Sequence, residues 1–258
     1  MRTAIIGPGL IGHSVALALR RAEPDASIVA IDRGQSLDAA RGAAVIVLAA
    51  PVDVILELIE RHADVLRAAV TLDTGSTKRA IVLAARKAGL DRFVGGHPMA
   101  GAATSGPSGA CDDLFSGQPW FLVPHGALPE ALSEARSFVE RLGARPVVLE
   151  DDGTEHDRAM AAVSHLPQAV ASVLMTVAAR AAGARLSWAG SGLRDTTRLA
   201  ASDGAVWHGI LSSNAAELRP LLLEMSVELR QLADQLDDGD AIRELFANAS
   251  RSRATLDP

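Results

Sequence analysis

The chain has 258 residues, a length that suits one large domain or two modest ones. With 48% hydrophobic and 22% charged residues, its composition is typical of globular proteins and excludes a disordered or fibrous chain. The formal net charge is -6 and the arginines are spread among acidic residues, so we expect no nucleic-acid partner.

Residues 1–150 alternate short β-branched runs with longer amphipathic segments, a pattern typical of strands and crossover helices in a parallel sheet. Helices are predicted over residues 54–66 and 130–142. Only about a dozen residues separate the second strand from the third, too few for a full helix and another strand. We therefore expect a sheet that is shortened on this side. The predicted strands span residues 3–6, 27–31, 44–49, 69–73, 92–95, 120–123 and 146–149.

The turn after the first strand carries Gly7, Gly9 and Gly12 ahead of an alanine- and leucine-rich helix. In this context Gly7 permits a tight turn, Gly9 lets the backbone approach a pyrophosphate, and Gly12 allows close helix packing. The unpaired amides at the start of that helix, including those of Leu10 and Ile11, favour an anionic group. The pattern predicts a Rossmann-type dinucleotide-binding domain.

The cofactor preference is predicted from the end of the second strand. Asp32 lies where a carboxylate accepts hydrogen bonds from the adenosine ribose hydroxyls, and its charge repels a 2′-phosphate, which favours NAD. Arg33 follows directly and would contact adenine or a 2′-phosphate, so NADP is the alternative cofactor. Pro51, directly after the third strand, is assigned to the same cofactor site. No metal site is predicted.

Residues 151–258 lack β-branched runs and carry long apolar stretches with a period near 3.6, so this half is predicted to be all-helical. Thr154 followed by Asp157 has the spacing of a capping box at the start of the first helix. Pro167 lies inside the same helical pattern, where we expect a kink because proline cannot donate a backbone hydrogen bond.

The rest of the helical half contains a glycine-rich break over residues 183–192, a long helix over residues 215–236 and a frayed tail after Asn248. The apolar stripes of residues 169–182 and 221–236 offer more apolar surface than a small domain needs internally. We therefore expect this half to be a dimerisation domain, with the chain forming a homodimer.

A cytoplasmic location is expected from two features of the sequence. Cys111 is the only cysteine, which suits a reducing compartment, and the chain begins without a secretion signal. The longest apolar run, residues 43–52, is about half as long as the ~20 residues that a bilayer-spanning helix needs, so we expect no membrane partner.

Three polar clusters interrupt the apolar patterns, two of them beyond the carboxyl ends of predicted strands, where dinucleotide folds place their chemistry. Taken singly, each has a structural alternative: Ser76 as a helix cap, His97 as a loop histidine and His165 as a core residue beside the proline. The clusters are Asp-Thr-Gly-Ser-Thr-Lys at residues 73–78, Gly-His-Pro-Met-Ala-Gly at residues 96–101 and Ser-His-Leu-Pro-Gln at residues 164–168.

The order of these motifs resembles the prephenate/arogenate dehydrogenases, which share the glycine turn, Asp-x-Gly-Ser-x-Lys, His-Pro-Met-Ala-Gly and Ser-His-Leu-Pro. Residues 192–200, followed by Trp207, resemble the arginine-containing substrate segment of the family. The resemblance covers residues 3–214. Ala103 stands where many relatives carry an acidic residue, and no C-terminal regulatory domain is expected.

The resemblance implies oxidative decarboxylation of prephenate to 4-hydroxyphenylpyruvate, or of arogenate to tyrosine, with hydride transfer to NAD. It implies that His97 is the base that takes the proton of the ring hydroxyl and that Ser76 hydrogen-bonds the same hydroxyl. Arg198 would hold a substrate carboxylate with its planar fork. The other substrate-binding residues that it implies are His165, Arg194 and Trp207.

Three other functions compete with this interpretation. The closest is the same chemistry on 4-amino-4-deoxyprephenate, whose ring carries an amine in place of the hydroxyl. A β-hydroxyacid dehydrogenase or imine reductase has a similar plan but leaves the His97 turn and the Arg198 segment unexplained. The third is a non-catalytic dinucleotide-sensing dimer, which the presence of His97, Ser76 and Arg198 argues against.

Overall fold

The structure, a computed structural model, describes residues 1–101 and 106–256 of the chain. Within those residues one sheet has the strand order β2-β1-β3-β4-β5-β6-β7 and is followed by a helical half. A Rossmann-type α/β domain followed by a helical domain is therefore confirmed. The strands are β1 (Arg2–Ile6), β2 (Ser27–Ile31), β3 (Val45–Leu48), β4 (Val70–Asp73), β5 (Phe93–Pro98), β6 (Pro119–Val123) and β7 (Arg145–Val148).

All seven predicted strands are present, but the prediction of a parallel sheet is wrong for the pairing of β5 with β6. β6 runs antiparallel to β5, with Gly95 opposite Val123, and β7 then runs parallel to β6. Neighbouring parallel strands need a crossover connection, usually a helix on the face of the sheet. Among the described residues between β5 and β6, the only helical segment is a 3₁₀ turn at Pro107–Gly109. The chain therefore returns alongside β5 in the opposite direction.

The sheet is shortened at β2, as predicted. The connection from β2 to β3 contains a single 3₁₀ turn, Leu37–Ala40, whose first amides are capped by Ser36. β3 then pairs directly with β1, so β2 is left at the edge of the sheet. A helix and a further strand would otherwise continue the sheet past β2.

Helices cover both faces of the sheet. On one face α2 (Val52–Arg61) and α4 (Arg79–Lys87) pack on buried aliphatic residues of β1 and β3. On the other face α1 (Leu10–Ala22) and α5 (Pro129–Arg141) enclose a second apolar cluster. The predicted helix over residues 54–66 is interrupted at His62, after which a short α3 (Ala63–Leu66) leads into β4.

The capping box predicted for the first helix of the second half is wrong. The helix α6 (Thr154–Met160) starts after Gly153, which has a φ of 89°, and its first amides are bonded by Asp151 and Asp152. Asp157 is instead buried against the sheet domain, where its carboxylate accepts backbone hydrogen bonds.

The helix does not stop at Pro167. A π turn at Ala161–His165 joins α6 to α7 (Leu166–Ala182), so the irregularity precedes the proline. A π turn adds a residue to the helical repeat, and both π turns and prolines are recognised causes of helix kinks. The expected kink at Pro167 stays a prediction, and the irregularity that the structure shows is the π turn before it.

The remaining chain is helical almost to its end. A 3₁₀ segment occupies Gly183–Trp188 in the predicted glycine-rich break, and the predicted long helix is present as Ala215–Asp234. The prediction of a frayed tail after Asn248 is wrong, because Gly239–Arg253 is one helix capped by Asp238. The helices after α7 are α8 (Ser191–Thr196), α9 (Gly204–Ser213), α10 (Ala215–Asp234) and α11 (Gly239–Arg253).

One helical run in the described residues, Thr154–Trp188, is long and apolar enough to cross a bilayer by length and composition. The helices that form the core of a water-soluble protein pass the same test. This run also carries buried polar side chains at His156, Asp157 and His165, each bonded to another part of the chain.

Candidate active site

The glycine turn has the backbone geometry that the sequence predicts. Gly7 has a φ of +91°, and a Cβ on it would lie 2.4 Å from the carbonyl oxygen of Ala49. A Cβ on Gly12 would lie 2.3 Å from the carbonyl oxygen of Gly7, so both positions require glycine. A Cβ on Gly9 would meet nothing within 4 Å. The turn therefore leaves open space at Gly9, next to the N-terminus of α1, where a phosphate group fits.

The turn opens into a groove of about 690 Å³ at the carboxyl ends of β1, β2 and β3. Its far wall is formed by α2 and the residue after it, through Val54, Leu58, Arg61 and His62. The shortened connection between β2 and β3 also lines the groove, through Gly34, Gln35 and Leu37. The predicted cofactor residues that line the groove are Gly7, Gly9, Asp32, Arg33 and Pro51.

The other predicted cofactor residues lie behind the groove. Leu10 and Ile11 form the first turn of α1 and are partly buried, and they are not among the residues that line the groove. Gly12 is buried and holds α1 against the turn. Asp32 and Arg33 are exposed at the rim, where the carboxylate of Asp32 accepts a hydrogen bond from the amide of Arg33 at 2.7 Å.

A fully buried ion pair between Lys78 and Asp73 joins the polar loop after β4 to the end of β5. The ammonium of Lys78 donates to Asp73 Oδ2 and, at 2.5 Å, to the carbonyl oxygen of Gly96. The carboxylate of Asp73 also accepts from the amides of Gly75 at 2.8 Å and Gly96 at 2.9 Å. Burial lowers the pKa of Lys78, and the neighbouring Asp73 opposes that shift. The pair fixes the segment after β4 against β5.

The two predicted catalytic residues lie on these two segments. Ser76 is partly buried in the loop between β4 and α4, and the cap position of α4 is occupied by Lys78, so Ser76 is not a helix cap. His97 lies on β5 and is partly buried. Burial, followed by the nearby His156, Lys78 and His165, holds the pKa of His97 well below 6.5. His97 is therefore neutral at pH 7 and able to accept a proton.

A chain of hydrogen bonds links His97 to the helical domain. His97 Nδ1 lies 2.8 Å from His156 Nε2, and His156 Nδ1 lies 2.8 Å from Asp157 Oδ1. The carboxylate of Asp157 further accepts from the amides of Lys78 at 2.6 Å and Arg79 at 3.0 Å. Burial is the main cause that lowers the pKa of His156, and Asp157 opposes it. Both residues on α6 are buried.

His165 is buried in the π turn, at the junction of the two halves of the chain. Its Nδ1 lies 3.1 Å from Asn214 Nδ2, which also donates to the backbone carbonyl of Asp157 at 2.7 Å. Because an amide nitrogen is a donor, His165 Nδ1 accepts and Nε2 carries the proton. Burial lowers the pKa of His165 to about 4. Its ring meets that of Trp207 edge-on, with centroids 6.1 Å apart.

The two predicted arginines lie on short helices beside α7. Arg198 begins the 3₁₀ turn Arg198–Ala201, which is held on α7 by a 2.7 Å hydrogen bond from Gln168 Nε2 to the carbonyl oxygen of Leu199. Arg194 lies on α8, and both guanidinium groups are exposed. Within residues 1–101 and 106–256, no hydrogen bond or ion pair joins either arginine to His97. Ala103 lies outside the described residues.

His156 and Asp157 are the members of this site that were not predicted. A signal was present, because the buried residues of α6 and the helix after it recur at helical spacing and include several polar ones in an otherwise apolar stripe. The buried positions are His156, Asp157, Met160, Ala161, His165, Gln168 and Ala171.

Comparison with known proteins decides the family. Residues 15–148 match the family model described as prephenate dehydrogenase, nucleotide-binding domain. Residues 152–248 match the model described as prephenate dehydrogenase, dimerization domain. The chain belongs to the prephenate dehydrogenase family. It is therefore a dehydrogenase with a nucleotide-binding domain, and membership in this family argues against a non-catalytic sensor.

Members of this family with curated functions match nearly the whole chain. A prephenate dehydrogenase of Lactococcus lactis is 31% identical over 279 aligned residues, which cover 98% of this chain and 77% of the relative. A cyclohexadienyl dehydrogenase of Zymomonas mobilis is 28% identical, with 98% and 95% covered. Among solved structures, Synechocystis arogenate dehydrogenase has a TM-score of 0.82 and 28% identity, covering 99% of this chain and 100% of its own.

This chain has the same fold as a prephenate dehydrogenase from A. aeolicus that was solved in complex with hydroxyphenyl propionate and NAD+. Its TM-score is 0.90 at 24% identity, over 100% of this chain and 98% of its own.

Proposed function

We propose that this family member oxidatively decarboxylates prephenate or arogenate and that NAD accepts the hydride. The observation that carries the proposal is the neutral, partly buried His97, held at the end of β5 beside the loop of Ser76. The glycine turn follows β1, β4 carries the Ser76 loop, and these strands are parallel neighbours of β3. A nicotinamide bound from the groove and a substrate near His97 would thus share one edge of the sheet.

The chemistry divides into two steps in which protons and electrons balance. Bound NAD supplies the hydride acceptor. His97 takes the proton of the ring hydroxyl while hydride leaves the same ring carbon, which becomes a carbonyl carbon. The bond to the ring carboxylate then breaks, carbon dioxide departs, and its electron pair aromatises the ring. The phenolate oxygen so formed recovers a proton, for which protonated His97 is the donor.

The remaining residues bind and orient the substrate. Ser76 hydrogen-bonds the ring hydroxyl, and Arg198 binds a carboxylate through its planar fork. His165 offers its Nε2 proton as a fixed donor, since its low pKa keeps the ring neutral. Trp207 packs beside it, and Arg194 provides a second positive charge.

Asp32 supports NAD rather than NADP. It is exposed at the rim of the groove, where a ribose with free hydroxyls can donate to the carboxylate and a 2′-phosphate is repelled. Arg33, also exposed there, is the one argument for NADP.

The activity is tested by following NADH formation with prephenate, arogenate and 4-amino-4-deoxyprephenate as separate substrates. We expect turnover with prephenate or arogenate, and His97→Asn should lower turnover by roughly 10² to 10⁴ while leaving NAD affinity unchanged. Turnover with the amino compound alone would replace the proposed substrate, and no turnover with any of the three would overturn the proposal.

We further propose that the family member works as a cytoplasmic homodimer, with residues 1–150 binding the nucleotide and residues 151–258 forming the dimer. Large apolar side chains of α7 and α10 are exposed, among them Val173 (62%) and Leu223 (61%). A stable interface of this kind buries roughly 2,000 Å² or more. A second copy would cover this apolar face and would also account for the bilayer-like composition of the α7 run.

The oligomeric state is measured by light scattering at micromolar concentration. We expect a dimer for the native chain, a monomer for Leu223→Arg, and a dimer for the matched control Leu83→Arg. Leu83 is 40% exposed on α4, on the sheet domain, and so lies outside the proposed interface. A native monomer, or equal behaviour of the two variants, contradicts the proposed interface.

A further inference from the structure

The hydrogen-bond chain from Asp157 to His97 has a defined direction. The carboxylate of Asp157 accepts from two backbone amides and can only accept from His156 as well, so His156 Nδ1 must carry a proton. A neutral imidazole has one protonated nitrogen, so His156 Nε2 is an acceptor. His97 Nδ1 must then donate across the 2.8 Å contact, which leaves His97 Nε2 without a proton.

We propose that Asp157 and His156 are positioning residues that hold His97 in the tautomer protonated on Nδ1 and so make Nε2 the catalytic base. This inference rests on the proposed role of His97 as the base. In the opposite tautomer of His97, two unprotonated nitrogens, His97 Nδ1 and His156 Nε2, would face each other without a hydrogen bond. This could be avoided only if His156 also changed its tautomer. That reversal would point the lone pair of His156 Nδ1 at the carboxylate of Asp157.

The surroundings of Asp157 keep it in the accepting role. Its oxygens are held by the amides of Lys78 and Arg79 at the start of α4, and its own backbone carbonyl accepts from Asn214. The nearby ammonium of Lys78 is occupied by Asp73 and Gly96 and is not part of the chain. The position of Asp157 is therefore fixed by bonds from both halves of the protein.

The same chain stabilises the product of proton transfer. When His97 Nε2 takes the proton of the substrate, the imidazolium keeps its Nδ1 hydrogen bond to His156. His156 is in turn bonded to the buried carboxylate of Asp157, which stabilises the positive charge. A charge-assisted hydrogen bond is about twice as strong as a neutral one, so the contact strengthens as the charge develops. An interaction that strengthens along the reaction coordinate raises kcat and leaves substrate binding unchanged.

The direct test is ¹⁵N NMR of the histidine rings in the native, substrate-free chain. We expect the neutral form of His97 to carry its proton on Nδ1, with Nε2 unprotonated. His156→Phe keeps a ring of similar size against Phe121 but removes the acceptor, and should release His97 to the Nε2-protonated tautomer. His156→Gln keeps an acceptor oxygen at this position and should retain the native tautomer. The control is His125→Gln. His125 lies on the turn after β6, outside this chain of hydrogen bonds, so the variant should lose one histidine signal and leave the tautomer of His97 unchanged.

Kinetics gives the second readout. His156→Phe should lower kcat by roughly 10- to 100-fold, a part of the roughly 10² to 10⁴ that a positioned base provides, with KM for substrate and affinity for NAD unchanged. His156→Gln should recover part of kcat. An Nε2-protonated His97 in the native chain, or native kcat in His156→Phe, overturns the inference. The NMR result needs no substrate, so the positioning role is judged even if none of the three substrates is turned over.

Discussion

The buried ion pair between Lys78 and Asp73 leads to a specific prediction about the free energy of unfolding. Lys78→Met retains most of the side-chain volume but removes the ammonium, leaving the carboxylate of Asp73 buried without a cation and the carbonyl of Gly96 without its side-chain donor. Removing one partner of a buried pair costs about 3–5 kcal/mol. We expect the free energy of unfolding to fall by that amount in urea titrations at a fixed protomer concentration, since dimerisation adds to apparent stability.

The neighbouring residue provides a matched control. The side chain of Arg79 is 58% exposed and pairs with Asp152 at 3.1 Å, an interaction in solvent that contributes about 0–1 kcal/mol. Arg79→Met should therefore change the unfolding free energy by less than about 1 kcal/mol. Adding Asp73→Asn to Lys78→Met should recover part of the loss, because neither position of the pair then carries a charge. Equal, small losses in Lys78→Met and Arg79→Met would refute the reasoning.

Three further predictions concern substrate, cofactor and pH. Arg198→Ala should raise KM about 30-fold with a much smaller change in kcat, and Arg198→Lys should restore only part of the affinity; KM within threefold of native in both variants removes Arg198 from the site. Asp32→Ser should lower the ratio of kcat/KM for NAD over NADP, and a native preference for NADP contradicts our interpretation of Asp32. The pKa of His165 is about 4 in the folded chain and about 6.5 in the unfolded chain. The unfolded chain therefore binds a proton first as the pH falls, so the stability that neutral His165 contributes above pH 6.5 is lost as the pH falls toward 4. The urea midpoint should fall over that window, and less so in His165→Gln.

Much of the fold could be predicted from local patterns in the sequence. β-branched runs identified the strands, and the glycine turn predicted backbone positions at Gly7 and Gly12 that no side chain could occupy. The antiparallel direction of β6 was missed because strand periodicity is the same for either direction, and only the connection between strands distinguishes them.

The candidate site was predicted less completely than the fold. The motifs identified Ser76 and His97, but Asp157 was assigned to a local cap because its sequence spacing fits one. Its real partners, the amides of Lys78 and Arg79, are 79 and 78 residues away in the chain. Helical spacing could have indicated that Asp157 is buried, but it does not identify partners so far away in the chain. The role of Arg198 still rests on the family resemblance, since its side chain is exposed.

Asp157 also bears on how the two domains can move. Its carboxylate caps the start of α4 in the sheet domain, while its backbone carbonyl is held by Asn214 at the start of α10. A hinge rotation that separated the domains would break the two bonds from α4 and expose a buried carboxylate, a costly step on every turnover, whereas the bond from Asn214 lies within the helical domain and would persist. We therefore expect ligands to enter and leave while the domains stay locked together, so that turnover is not limited by domain opening.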